Sequence, residues 1–267
     1  MIKQPLVSVI MVAFNEPKNL INQAIDSILN QSLTDFEFII VDESSNKETI
    51  YAIKKRSLED NRIKILHSNQ IGFFSKSLNF GLKNAKGIFI ARMDPDDVSH
   101  KSRLKKQVHF LENNPKYSLV GSAVNIIDIN GKKISSRSYP SSSIKLRIWS
   151  LFRNPLAHPT VMFRRSIIDQ GYFYDDNFSK AEDLELWLRL MKKDFKFYNL
   201  QNHLLNYRTL DNFSSKRAGD NFKYNYKARK KNFSWKSFIP DFISLFFSKI
   251  YSLLPIIFVK TAYKILE

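Results

Sequence analysis

Residues 7–28, VSVIMVAFNEPKNLINQAIDSI, contain the change of rhythm that decides the fold class. Val7 to Val12 is an apolar run broken only by Ser8, the mark of a strand buried on both faces. Leu20, Ile21, Ala24, Ile25 and Ile28 then recur at helical spacing, with Pro17 suited to the first turn. The same βα unit returns downstream. Phe36 to Val41 reads as a second strand, and Ser45-Asn46-Lys47-Glu48 has the capping-box spacing that opens a helix carrying Ile50, Ile53 and Leu58. Ile63 to Leu66 is a third strand, Leu78, Leu82 and Ala85 a third helical face, and Gly87 punctuates before a fourth strand, Ile88 to Ala91. This alternation predicts an α/β fold built on a doubly wound, mostly parallel sheet.

Beyond residue 98 the pattern is mixed. Arg103 to Leu111 reads as helix, Ser118 to Val124 as strand and Leu184 to Met191 as helix, with a hairpin turn expected at Asn130-Gly131. The C-terminal stretch differs in kind. Lys216 to Lys236 is basic with interleaved aromatics. Phe238 to Leu266 is strongly apolar but carries Asp241, Lys249 and Lys260 and is broken by Pro240 and Pro255. A bilayer-crossing helix needs about 20 predominantly apolar residues, so this segment suits an interfacial amphipathic hairpin better than a membrane span. A pair of helices packed on the domain is the competing reading.

The chain has 267 residues, room for one α/β domain and a short appendage. With no cysteine, disulfides, thiolate zinc sites and a cysteine nucleophile are excluded. No secretory signal pattern is read at Met1-Ile2-Lys3-Gln4-Pro5, so a cytoplasmic setting is expected. The formal net charge of +17 points to an anionic partner: nucleic acid, an acidic membrane face or a phosphorylated substrate.

In open α/β sheets ligands sit outside the carboxyl ends of the strands. Three such ends are polar here: Ala13-Phe14-Asn15-Glu16, Asp42-Glu43-Ser44-Ser45 and Asp94-Pro95-Asp96-Asp97. On an extended chain Asp94 and Asp96 point to one side, and two convergent carboxylates suit Mg2+ or Mn2+ bridging to a diphosphate. Asp and Pro also form ordinary turns. At the end of a buried strand, level with two other polar ends, the cluster reads as a cation site. Asp42 and Glu43 can accept hydrogen bonds from a base or ribose, or simply cap the helix that follows. The chain has no Gly-x-Gly-x-x-Gly and no Walker-type loop, which argues against dinucleotide oxidoreductases and phosphoryl-transfer enzymes.

VSVIMVAFNE, FIIVDESS, NQIGFFSKSLNFGLKNAKGIFIARMDPDD, RLKKQVHFL, HPTVMFRRS and AEDLELWLRL, in this order and spacing across residues 5–210, resemble the family-2 glycosyltransferases of glycosyltransferase A fold. Bacterial exopolysaccharide, capsule and lipopolysaccharide enzymes are the branch most resembled. The resemblance implies an inverting, metal-dependent transfer from a nucleotide diphosphate sugar, UDP-linked by expectation, to a hydroxyl of a glycan, expected to be lipid-linked. It implies Asp183 as general base, although Glu182 and Asp183 would also suit a plain helix N-terminus. It implies Asp94 and Asp96 as metal and diphosphate ligands, with Ala13, Asn15, Asp42, Glu43, Lys76 and Asn79 on the nucleotide sugar. His158, Glu182 and Arg189 fall on the acceptor side, Arg189 as a brace for the acidic pair and Trp187 as core. Where the family usually follows its second acidic residue with Gly, this chain has Ser44.

The implied organisation is a catalytic domain over 1–215, with a nucleotide-sugar half (1–98) and an acceptor half (99–215). A basic, amphipathic helical tail over 216–267 would hold the protein on the anionic inner face of the cell membrane, with no nucleic-acid partner. Two other classes compete. A nucleotidyltransferase would also use paired aspartates but carries a basic Gly-rich loop after strand one, unlike Ala13-Phe14-Asn15-Glu16. A nucleic-acid binder is suggested only by the basic, aromatic stretch from Lys223 to Trp235.

Overall fold

The computed structural model describes residues 4–67, 74–209 and 213–253. Strands β1 (Val7–Ala13), β2 (Phe36–Asp42), β3 (Ile63–His67) and β4 (Phe89–Met93) pair in parallel in the order β3-β2-β1-β4. Helices α1 (Lys18–Leu29), α2 (Lys47–Glu59) and α3 (Phe74–Asn84) alternate with them. Every residue of β1 and β2 is buried, because both faces of the sheet are covered. Val9 and Met11 pack with Ile21, Ile25 and Ile28 of α1 on one face. Ile10 and Val12 pack with Leu78 and Leu82 of α3 on the other. Gly87 lets β4 start hard against β1, since a Cβ there would lie 2.3 Å from the Ser8 nitrogen.

The remaining elements are β5 (Val98–Ser99), α4 (Arg103–Asn113), β6 (Leu119–Ile127), β7 (Lys133–Arg137), α5 (Ser143–Ser150), β8 (Met162–Arg164), α6 (Ser166–Asp169), α7 (Glu182–Lys192), β9 (Phe197–Arg208), α8 (Phe213–Lys231) and α9 (Phe238–Leu253). They extend the sheet to β3-β2-β1-β4-β8-β6-β9-β5, with β7 hydrogen-bonded to β6. β8 runs antiparallel to both β4 and β6, so this half of the sheet is mixed. α7 is anchored by fully buried Trp187 and Leu190, whose cluster includes Phe197 of β9. Each such side chain contributes about 2–3 kcal/mol of burial.

Several local expectations shift. The helix after β2 is capped by Asn46, whose side chain accepts from Thr49 N at 2.7 Å, and not by Ser45, which is held by Asn15. The β6–β7 connection runs over five residues, 128–132, with Asp128 accepting from the nitrogens of Asn130 (3.0 Å) and Lys132 (2.8 Å). Asp94 to Asp97 is a turn and not an extended chain. The expected boundary at 215/216 falls inside α8. α8 and α9 pack on the domain: Ala228 joins Phe178 and Leu184 in a small cluster. Among the described residues no helix is long and apolar enough to cross a membrane. The expected apolar run beyond Leu253 lies outside the described residues.

Candidate active site

The strand order reverses between β1 and β4, and the site gathers at their carboxyl ends. Ala13 is level with Asp42 in the sheet, and Glu43 N donates to Ala13 O at 2.9 Å. Asn15 takes a left-handed φ of 60°, which Asn tolerates better than most residues. Its side-chain oxygen accepts from Ser45 N (2.8 Å) and Asn46 N (2.9 Å), while Ser44 Oγ accepts from Asn15 N (3.1 Å). The loops after β1 and β2 are thereby tied into one ledge. Ser44 contributes one of the bonds in this tie. Ser77 of α3 donates to Glu43, and Asp42 accepts from Ser44 N at 2.9 Å.

The acidic turn is the next part of the site. Carboxylate oxygens of Asp94, Asp96 and Asp97 lie within 4.8 Å of one another. Asp97 is buried, and its Oδ2 has no hydrogen-bond partner among the described residues. Burial first, and then the charges on Asp94 and Asp96, push its carboxyl well above the usual range. An all-oxygen, charge-frustrated set of this kind fits a hard divalent cation such as Mg2+ or Mn2+, which would relieve the repulsion. Glu16 belongs to the same neighbourhood. Burial, aided by the charges on Asp96 and Asp94, raises it to about 7, against its hydrogen bond from Phe14 N (2.7 Å).

Three buried arginines hold this turn. Arg208, at the end of β9, donates its backbone N to Asp97 Oδ1 (2.7 Å) and its Nε to Asp96 O (2.8 Å). Its guanidinium also reaches Ile129 O (2.7 Å) and Gln23 Oε1 (2.7 Å). Arg103 lies fully buried in α4 and donates to the carbonyl of Arg92. Burial, with the repulsion of Arg92, pulls its guanidinium down to about 9. Arg92, 4 % exposed on β4, pairs with Asp94 and lies over the Phe74 ring at 5.3 Å.

The charge of Arg92 also acts on a second acidic group. Glu182 and Asp183 open α7, just after Ala181 in a left-handed conformation (φ 56°). A non-glycine residue there stores on the order of 1 kcal/mol of strain. Both carboxylates are buried, and burial raises both; the charge of Asp183 raises Glu182 further, while Arg92 opposes the rise in each. Asp183 accepts from Asn154 Nδ2 (2.5 Å) and Leu184 N (2.7 Å), which favour its charged form. Two adjacent buried carboxyls ionise together only at a cost, so burial and their mutual repulsion favour a proton on the pair. Beneath it His158 contacts the Tyr174 hydroxyl at 2.7 Å and packs edge-on to Trp187. Burial and then Arg92 push its imidazole well below the usual range, so it is neutral.

Carboxylates and arginines from four segments thus converge on the switch point of a sheet with the order β3-β2-β1-β4. Residues 8–172 match the family Glycosyl transferase family 2. The chain belongs to glycosyl transferase family 2. The O-antigen biosynthesis glycosyltransferase WbnJ of Escherichia coli is 37 % identical over 216 residues, covering 80 % of this chain and 83 % of that protein. The amylovoran biosynthesis glycosyltransferase AmsE of Erwinia amylovora is 29 % identical over 219 residues, 81 % of each chain. Among solved structures, S. aureus TarS 1–349 in complex with UDP-GlcNAc superposes with a TM-score of 0.67 at 21 % identity, covering 90 % of this chain and 71 % of TarS 1–349. The fold is therefore the glycosyltransferase A fold.

Within this family-2 chain the expected site residues divide. Ala13, Asp42, Glu43, Asp94 and Asp96 lie at the switch-point edge, where Arg92 pairs with Asp94, and the charge of Arg92 lowers the carboxyls of Glu182 and Asp183. Asn15 spends its side-chain amide on the β2–α2 loop and shapes the ledge. Asn79 is likewise tied down. It donates to Tyr174 O (2.8 Å) and Asp176 Oδ1 (2.9 Å) and accepts from Tyr174 N (3.0 Å), which leaves it pinning the segment before α7. Lys76 is half-buried on α3. Arg189 does not brace Glu182 and Asp183: it pairs with Glu185, Nη2 to Oε2 at 2.9 Å, and donates to Phe173 O at 2.5 Å. Glu185 is one helical turn away, whereas Glu182 is two turns and about 10 Å along the axis. His158 is buried among aromatic rings and positions Tyr174. Sequence reasoning missed Arg92, Arg208 and Asn154, and named Glu16 only as part of a polar strand end. The available signal for Arg92 was an arginine inside an apolar strand.

Proposed function

We propose that this protein transfers a sugar from a nucleotide diphosphate sugar, UDP-linked, onto a hydroxyl of a lipid-linked glycan, with inversion, in the synthesis of a surface polysaccharide. The observation that carries the reading is the pair of acidic centres: the carboxylate cluster of Asp94, Asp96 and Asp97, and the buried Glu182–Asp183 pair at the start of α7, with the buried Arg92 paired to Asp94 and its charge acting on both carboxyls of α7. WbnJ and AmsE, named for O-antigen and amylovoran biosynthesis, support the polysaccharide setting, and TarS with UDP-GlcNAc supports a UDP donor.

Asp94 and Asp96 would hold Mg2+ or Mn2+, which supplies neutralisation of the departing diphosphate when bound. Asp42 and Glu43 hold the nucleoside on the ledge after β1 and β2, with Ala13 and Lys76 beside it. Asp183 takes the acceptor proton; the hydrogen bonds from Asn154 and Leu184 keep it ionised while Glu182 carries the shared proton. His158 and Tyr174 set the floor under that pair. The catalytic part ends with β9, and α8 onward forms a tail that associates with the anionic inner face of the membrane.

The test is a panel of nucleotide sugars scored for release of nucleoside diphosphate, with metal and with chelator, for the wild type and Asp96→Ala. Metal-dependent release with one UDP-sugar, lost in Asp96→Ala, supports the reading. Release that persists in chelator, or in Asp96→Ala, contradicts it. A nucleotidyltransferase would instead release pyrophosphate from a nucleoside triphosphate.

A further inference from the structure

α9 turns its serines inward and its rings outward. Ser244 and Ser248 are buried, and Ser244 Oγ donates to Leu151 O at 2.9 Å and accepts from Arg229 at 2.8 Å. On the opposite side Phe238, Phe242 and Phe246, one turn apart, stack with ring centroids 5.7 and 6.5 Å apart. Phe242 and Phe246 are each 54 % exposed and Ile239 is 70 % exposed. Water disfavours each such surface by roughly 25 cal/mol per Å² of apolar area, and contiguous patches on soluble proteins mark interaction sites.

The patch does not stop at α9. Ile144 and Ile148, one turn apart on α5, are 74 % and 58 % exposed. Phe152, just past α5, meets Phe247 of α9 edge-on at 5.3 Å. Arg229 locks the junction, donating to both Ser150 O and Ser244 Oγ. Exposed Lys145 flanks the α5 side, beside Arg147, which pairs with Asp194 at 3.0 Å, and exposed Lys236 and Lys249 the α9 side. Apolar surface rimmed by cations, on a chain of net charge +17, complements a leaflet of anionic lipid, where each cation adds about 1 kcal/mol.

We propose that α5 forms a single bilayer-docking face with α9, seated on an anionic phospholipid leaflet. This rests on the membrane-associated reading above and adds to it a contact inside the catalytic domain. Asn154, four residues past α5, donates to Asp183, so docking through α5 fixes the base at a set height above the leaflet, where a lipid-linked hydroxyl would arrive.

The chain's lack of cysteine permits single-site labelling. Full-length protein carrying Ile148→Cys, or Leu58→Cys on α2 as control, is labelled with an environment-sensitive dye and mixed with phosphatidylcholine vesicles with or without phosphatidylglycerol. The expected result is a blue shift at 148, none at 58, and only with phosphatidylglycerol present. Ile144→Ser/Ile148→Ser should weaken co-sedimentation with those vesicles about tenfold or more at unchanged Tm. Undiminished binding by that double variant overturns the α5 contact while leaving membrane association through the tail intact. Wild-type protein that binds no vesicle overturns both. A dimer that the same double variant dissociates would assign the face to a second copy of the chain and also overturn the proposal.

Discussion

The cleft and the C-terminal helix invert the ordinary distribution of residues in opposite senses. Around Arg92 the protein buries carboxylates, a histidine and three arginines that water would otherwise solvate. On α9 it buries serines and exposes phenylalanines. Each inversion costs stability unless a partner absorbs it; on the proposals above the partners are a cation and an anionic ligand in the first region and a lipid leaflet in the second. Both regions are held in place by buried arginines, Arg208 and Arg103 under the acidic turn and Arg229 between α5 and α9. Stability is given up where chemistry or docking restores it.

The largest effect that would break this contrast lies in the cleft. Asp183→Asn should lower transfer by about 10²–10⁴-fold while donor affinity, measured by titration calorimetry, stays unchanged. An active variant would return Asp183 to a helix-capping role. Next in size, Arg92→Met leaves Asp94 and the α7 pair without their shared cation. It should cost about 3–5 kcal/mol in urea unfolding, with Arg92→Lys recovering part of the loss.

A smaller effect belongs to Glu16, whose folded carboxyl titrates at about 7 against an ordinary 4.5. The folded state then holds the proton more tightly than the unfolded chain, so stability falls as pH rises from 4.5 to 7 and flattens above. Glu16→Gln removes that loss. In chelator the variant should be more stable than wild type above pH 7, by on the order of 1–2 kcal/mol after solvent screening, and indistinguishable below pH 4.5. Thermal melts across that range check it. The smallest effect falls on the other region. Phe242→Ser/Phe246→Ser should change folding stability by less than about 0.5 kcal/mol per site, because neither ring is buried, and yet weaken vesicle co-sedimentation.

The parallel half of the sheet was legible in the sequence because β1 and β2 are buried on both faces and therefore read as mostly apolar runs, interrupted only by Ser8 and Glu37 before the polar strand ends. The acidic turn was legible because its three carboxylates stand at the end of a buried strand, level with two other polar strand ends, even though Asp and Pro also suit a plain turn. What escaped were contacts whose partners are remote in the chain. Asp97 and Arg208 are separated by 111 positions and meet only because β5 pairs with β9. Asn15 and Asn79 looked available as ligands, but the fold spends their amides on neighbouring loops. Arg189 found Glu185 first because helical geometry offered a nearer carboxylate. The orientation of α9 was invisible, since its composition fits either face until Ser244 is seen pointing inward.

The account stands on one cation shared by the turn after β4 and a diphosphate on the ledge after β1. Calorimetric titration of UDP into the protein with Mn2+ and with chelator, for the wild type and Asp96→Ala, tests it most directly. Tight binding by the wild type only with Mn2+, lost in Asp96→Ala, is the predicted result. Equal affinity in chelator, or in Asp96→Ala, would contradict it.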